Sequence, residues 1–365
     1  MRLDFFPSRT LTVYLAKTFF IRILAVLLML VLILQTLDLL GESGKVLGYP
    51  GNGEAELWHY VMLRFPQLIA RFLPYSVLLA TIITLATLNQ NSEVIAMKAA
   101  GMSAHQVLAP LILTAAIVSL ASFTFNERVV TRASATLKAW QDVDYGKVPT
   151  DSGVRSNVYL SDGPNILSAS TIVGRDRDLV MEGVTYYSRD ARGMISQQIR
   201  SPRATYAAPG WRLDAPVQFD VQSAQTVKLA PLVVGTKLTP TQIALSKVDA
   251  DGENAIELKQ SIDLLSAAGR RTAEVEGKWW HKFSGPLSAV LMPLLGAVAA
   301  FGLARSGQLL VRAVIGMALG FAYFVVDNAA LAMGNFGGYP PLLAAWAPFL
   351  LFFLIGETVL VRTEE

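Results

Sequence analysis

The 365-residue chain contains no cysteine, so neither a disulfide nor a thiolate metal site can form. Histidine is nearly as scarce. His59, His105 and His281 lie in different segments, and a zinc-type site needs several convergent ligands, so no shared metal site is expected. Charge is short too: 16% of residues are Asp, Glu, Lys or Arg, against about 25% in soluble domains. The net charge of +3 is small, and no Arg/Lys stripe is interleaved with aromatics, so no nucleic-acid partner is expected. The catalytic signatures sought are also missing: there is no GxSxG elbow and no pair of carboxylates with a supporting histidine. A GxxxxGK[ST] loop is lacking as well, so the chain does not bind ATP in that way. No cofactor is expected, and any driving energy has to come from another chain.

What the chain has in plenty is apolar sequence, at 53% of residues. A helix needs about 20 apolar residues to cross a bilayer. Six segments meet or approach that length: 23–40, 72–88, 107–125, 283–303, 309–333 and 342–361. The first is not expected to be a cleaved signal, because its apolar run is long and no small-residue cleavage site follows. Arg2, Arg9, Lys17 and Arg22 precede it against Asp4 alone, which predicts a cytoplasmic N-terminus. Alternation then puts 41–58, 126–278 and 334–341 outside. It puts 89–106, the turn around Arg305 and the C-terminus with Arg362 inside.

The predicted organisation is three spans in 1–125, an inserted domain in 126–278 and three spans in 279–365. Within 150–240, short runs such as NVYL, NILSAS and LVMEGVTYYS alternate with turns such as SDGPN, GRDRD and APG. Strands of about five residues between such turns predict an antiparallel sandwich or roll. A helical linker is predicted over 255–278, with AIELKQSIDLLSAAG at its start and Gly269 as a stop. The insert has no histidine and no metal-ligand spacing, so binding or conduction suits it better than catalysis.

Charge within a membrane costs about 2.5–3.5 kcal/mol on insertion scales, so each case asks for a reason. Asp38 and Asp327 lie toward the outer ends of spans one and five. They read either as interfacial residues facing neighbouring helices or as the polar rim of a cavity. Glu357 and Arg312 lie near span ends and can snorkel. Lys45 and Lys138 lie just outside spans one and three, where they suit an anionic headgroup or simply water.

The segment NSEVIAMKAAGMSAHQ, residues 91–106, interrupts two apolar stretches. It predicts a helix over about 92–101, with Ser92 as N-cap, Glu93 at the positive end of the dipole and Gly101 as the C-terminal stop. Two turns are marginal in water, so the helix needs a partner surface. Val94, Met97 and Gly101 predict an apolar edge for it, with Glu93 at the tip and Lys98 beside it. Read from the residues alone, the segment is either a surface connector or a docking element.

SEVIAMKAAGMS, the spans around a β-rich insert, and KWWHKFSGPLSAVLMPLLGAVAAFGL with VRAVIGMALGFAYFVVDN together resemble the LptF/LptG permeases of lipopolysaccharide export. The resemblance covers nearly the whole chain, and the ending is more similar to the LptG branch. It implies a six-span (3+3) α-helical membrane protein with an inserted periplasmic all-β jellyroll-like domain. It also implies an inner-membrane permease without its own ATPase, assembled with an LptF-like permease, an LptB-like ATPase dimer and LptC-like and LptA-like bridge proteins. Residues 92–101 would be the coupling helix, with Glu93 meeting a basic residue of the ATPase. Spans one and five would form lateral gates to a cavity for lipopolysaccharide. Where the resemblance implies a basic phosphate contact before Asp38, this chain has Gln35, so either the substrate is less phosphorylated at that contact or Lys45 and Lys138 replace it. Two rivals stand beside this reading. One is an ATP-driven permease for another lipid, a type that often has four spans with the insert between the first two. The other is a membrane-anchored binding protein, which needs no docking helix.

Overall fold

The computed structural model describes residues 6–147, 155–173, 179–190, 192–221, 223–240, 248–267, 270–301 and 309–364. The chain divides into a helical unit, Met1–Leu137 with Ala250–Ile262 and Arg271–Glu365, and a β unit, Lys138–Asp249 with Asp263–Arg270.

The helical unit starts with α1 (Arg9–Gly48), whose N-cap Ser8 accepts from the Leu11 amide. It continues through α2 (Glu54–Gln90), α3 (Glu93–Ala99) and α4 (Ala104–Phe125). Ser103 and Gln106 close a reciprocal capping box at the start of α4. The helix does not stop at Phe125. A wide π-type turn, Asn126–Val130, carries it into α5 (Thr131–Gln141). The predicted boundary at 126 therefore falls inside a continuous helix, and the β unit begins at Lys138. After the β strands come α6 (Ala255–Ala267), α7 (Ala273–Phe301), α8 (Leu309–Asn335) and α9 (Pro341–Glu364).

Among the described residues, five helical stretches are long and apolar enough to cross a membrane: Arg9–Gly48, Glu54–Gln90, Ala104–Gln141, Val314–Asn335 and Pro341–Arg362. The fourth predicted span, 283–303, is less simple. It begins inside α7, whose first turns carry Glu274, Glu276, Lys278, His281 and Lys282, and its end lies outside the described residues. The turn around Arg305 and the Gly269 stop also lie outside them.

α7 packs against α2, α4, α8 and α9. One apolar cluster joins Phe19 and Ile23 of α1, Val77 and Leu85 of α2, Leu108 and Leu111 of α4, Met292 and Leu295 of α7, and Tyr323 of α8. Lipid offers apolar side chains the same company as other helices do, so close approach has to come from small residues. Gly296 is such a place: a Cβ there would stand 2.7 Å from Thr81 Cγ2.

The β unit is one antiparallel sheet of eight described strands: β1 (Arg155–Asp162), β2 (Asn165–Val173), β3 (Val180–Arg189), β4 (Ile195–Ala207), β5 (Gly210–Asp214), β6 (Val217–Asp220), β7 (Thr226–Lys228) and β8 (Leu232–Val234). Strands β1 to β5 pair in sequence and β8 adds to β5. The long β4 forks: Gln197–Arg200 pair with β6, and Arg203–Ala207 with β5. The SDGPN stretch makes the β1–β2 hairpin, with Gly163 at φ +64 in a two-residue turn. The GRDRD turn lies outside the described residues. Alternate residues build a second core, including Leu167, Ala169, Met181, Trp211 and Leu213. Trp211 is fully buried and its indole N–H donates to Leu238 O at 2.8 Å.

Asp162 is buried in this unit and accepts from Tyr186 Oη at 2.9 Å and from the Lys237 amide at 3.2 Å. Asn165 Nδ2 donates to the same phenol oxygen at 2.9 Å. Burial, and then the hydrogen bond to Asp162, push the Tyr186 phenol up to about 12. The folded state thus favours the neutral phenol. Its contribution to stability is whole below pH 10 and is lost as pH rises toward about 12. Alkaline titration of the tertiary spectroscopic signal should show destabilisation in that window. Tyr186→Phe should flatten it while costing about 1–3 kcal/mol at neutral pH, because Asp162 loses a donor.

Candidate functional site

The helical unit carries polar chemistry at two ends, which are separated by the apolar cluster.

At the first end, α3 turns back from α2 through Asn91 and Ser92. Ser92 adopts φ +60, and its hydroxyl does not cap the helix as predicted. The Glu93 carboxylate receives Tyr14 Oη at 3.3 Å and Asn91 Nδ2 at 3.3 Å instead. The stop falls where it was predicted. Gly101 is at φ +85, its amide donates to Lys98 O at 2.9 Å, and the Met102 amide donates to Met97 O at 3.2 Å, a Schellman closure.

The apolar edge of α3 is the predicted one, but it meets its own chain. Val94 and Met97 are each 7% exposed and belong to the core shared with α2 and α4. The partner surface that so short a helix needs is thus its own chain. The face left outward carries Glu93, Ile95 and Lys98, with Ile95 62% exposed. Close by in sequence, His105 Nε2 lies 3.3 Å from Glu357 Oε2, so Glu357 is tied to α4.

At the other end charged and polar side chains pair between helices. Asp38 is held by Arg64 of α2, Nη2 to Oδ1 at 2.9 Å and Nε at 3.2 Å, and by the hydroxyl of Tyr60. Asp327 is buried, and its Oδ2 lies 3.0 Å from His281 Nε2 of α7. Lys282, also buried, faces Glu127 at 3.4 Å. A cavity of about 650 Å³ opens among these elements, and Arg64, Arg71, Tyr75, His281, Lys282 and Asp327 are in its wall.

The predicted headgroup residues are therefore not one cluster. Asp327 reaches the cavity, and Asp38 touches it through Arg64. Gln35 is 7% exposed, with neither side-chain polar atom hydrogen-bonded. Lys45 is exposed and pairs with Glu42 one turn away. Lys138 belongs to the β unit and pairs with Asp249 at 2.7 Å. Arg64, Arg71, His281, Lys282 and Glu127 were missed. The signal for two of them was present: Arg64 and Arg71 are basic residues seven apart in an otherwise apolar helix.

The two kinds of pair should differ in strength. Arg64→Ala should lower stability in detergent by about 1–3 kcal/mol, because it strips a forked partner from a part-buried carboxylate. Lys45→Ala should change it by less than about 1 kcal/mol, as expected for an exposed pair. Thermal unfolding of the two variants checks the contrast.

The family described as "Lipopolysaccharide export system permease LptF/LptG" matches residues 13–362. The chain is similar to the "Lipopolysaccharide export system permease protein LptG" of Escherichia coli K12, 27% identical over 98% of this chain and 99% of the relative. It is also similar to the protein of the same name from Haemophilus influenzae, 23% identical over the same shares. With a helical membrane-type unit, a central antiparallel sheet and a match over nearly its full length, the chain belongs to the LptF/LptG family of lipopolysaccharide export permeases.

Proposed function

We propose that this chain is the LptG-type permease subunit of an ABC transporter that extracts lipopolysaccharide from the inner membrane and delivers it through its β unit toward the outer membrane. The observation that carries the reading is α3, a short helix seated in its own core with a charged outward face, in a chain without a nucleotide loop. α7 would be the sixth crossing, with both termini cytoplasmic and the β unit a periplasmic jellyroll-like domain. The basic N-terminal segment supports that orientation. An LptB-like ATPase dimer would bind ATP, an LptF-like chain would complete the membrane cavity, and LptC-like and LptA-like proteins would receive the lipid.

In this reading Glu93, Ile95 and Lys98 meet the ATPase, while Val94 and Met97 pass its push into α2 and α4. Gly101 ends the lever. Tight packing makes such transfer efficient, since close-packed interiors shift rather than compress. Asp327, Asp38 and Arg64 would form the polar rim of the lipid path, with Gln35 where relatives place a cation and Lys45 and Lys138 as further headgroup contacts. That the curated relatives carry the LptG name favours this reading over an LptF-type subunit, another lipid permease or a non-transporting binding protein.

Glu93→Lys reverses the charge at the tip of α3 without touching its buried edge. Co-purification of the ATPase from detergent should fall by roughly tenfold, as expected when one charge contact worth about 1.4 kcal/mol is lost. Full retention of the ATPase, with unchanged lipopolysaccharide-dependent hydrolysis, would remove α3 from the interface.

A further inference from the structure

We propose that Glu127 is a positioning residue that anchors the start of α6, the helix that follows the β strands. α6 starts in the helical unit and its residues from Asp263 onward belong to the β unit, so through this anchor movement of α4 and α7 is passed toward the insert. The inference rests on the transport reading above and adds a named joint to it.

The anchor is built from three elements of the helical unit. The wide turn Asn126–Val130 places Glu127 at the end of α4. Its Oε2 accepts the Ala255 amide at 2.6 Å, and its Oε1 lies 3.4 Å from Lys282 Nζ of α7. Ala255 is the first residue of α6, where an amide has no partner within the helix and a carboxylate is favoured by the dipole. The next two amides, of Ile256 and Glu257, go to Asn254 Oδ1 at 3.0 and 2.9 Å. From the other side, Trp279 of α7 donates its indole N–H to Ala255 O at 2.9 Å. The start of α6 is thus held by α4 and α7 at once, and those two helices are joined to each other by the Glu127–Lys282 pair.

Packing alone does not explain this choice of residues. A buried ion pair is often no more stabilising than apolar side chains of the same volume. The carboxylate does something an apolar group cannot: it fixes which residue of α6 sits at the end of α4. The path in sequence is also direct. α3 is followed at once by α4, and α4 ends at the turn that carries Glu127. A push on α3 reaches Glu127 along a helix of 22 residues, about 33 Å of stiff rod.

The test uses the whole complex, this chain with its partner permease and ATPase, in vesicles containing lipopolysaccharide. Two quantities are read: ATP hydrolysis, and lipopolysaccharide released to an acceptor per ATP. For Glu127→Ala the expected result is hydrolysis within about twofold of the parent and release per ATP lowered about fivefold or more, the lower end of ordinary coupling effects. Glu127→Gln keeps an acceptor for Ala255 and should fall between the two. Trp279→Phe keeps an aromatic ring but loses the donor to Ala255 along with part of the indole's bulk, and should shift the ratio in the same direction. An unchanged ratio in Glu127→Ala and Trp279→Phe overturns the proposal. So does a parallel fall of hydrolysis and release, which marks a merely structural role. Absence of ATP-dependent release from the unmodified complex would instead overturn the transport reading itself.

Discussion

A charge set among apolar helices has to meet an opposite charge, and the arrangement of the helical unit follows from that demand. Asp38 meets Arg64 and Glu127 meets Lys282, each across two different helices, while Asp327 lies within hydrogen-bond reach of His281. Between these pairs and α3 lies the apolar cluster of Phe19, Val77, Leu108, Met292 and their neighbours. The two regions answer force differently. Close-packed apolar side chains resist any change of volume. Ion pairs around a cavity can exchange partners with water or with a bound group at smaller cost. The end with the cavity is the one able to rearrange, and the apolar middle is the fulcrum.

α3, in the proposed docking role, need not be apolar outside. Its hydrophobic residues are spent on seating it in its own chain, which makes a seven-residue helix stable without a partner. The outward face is then free to carry charge, so recognition is by sign and geometry. Contacts of that kind give specificity and fast association more than raw affinity.

Much of this was legible in the sequence, for reasons that differ by element. Long apolar runs report themselves, because a bilayer leaves few alternatives to a helix. Gly101 was readable as a stop because few other residues accept its φ of +85 so easily. Val94 and Met97 were readable as the apolar edge of α3, but not that its own chain would cover them, since a short apolar edge does not say which surface it meets. Ser92 does stand at the N-cap position, but with a left-handed backbone at φ +60 and no bond from its hydroxyl to the helix amides. The pairs between helices were invisible for a simpler reason: their partners stand 26, 46 and 155 residues apart. Single-residue patterns carry no information about which distant helix will lie alongside. The predicted end of the helix at Phe125 failed because polar residues after it looked like the end of a span, whereas the backbone runs on through the wide turn to Gln141.

That wide turn sets an angular phase. A π-type turn holds one residue more than an α-turn, so everything after Val130 is rotated by about 100° from where an unbroken helix would put it. The faces of α5, and with them the direction in which Lys138 points, are therefore set by a single supernumerary residue. Relatives that differ by one residue in this stretch would present a different face of the same sequence, with no substitution at the surface itself. Length, rather than residue identity, is the variable to watch here.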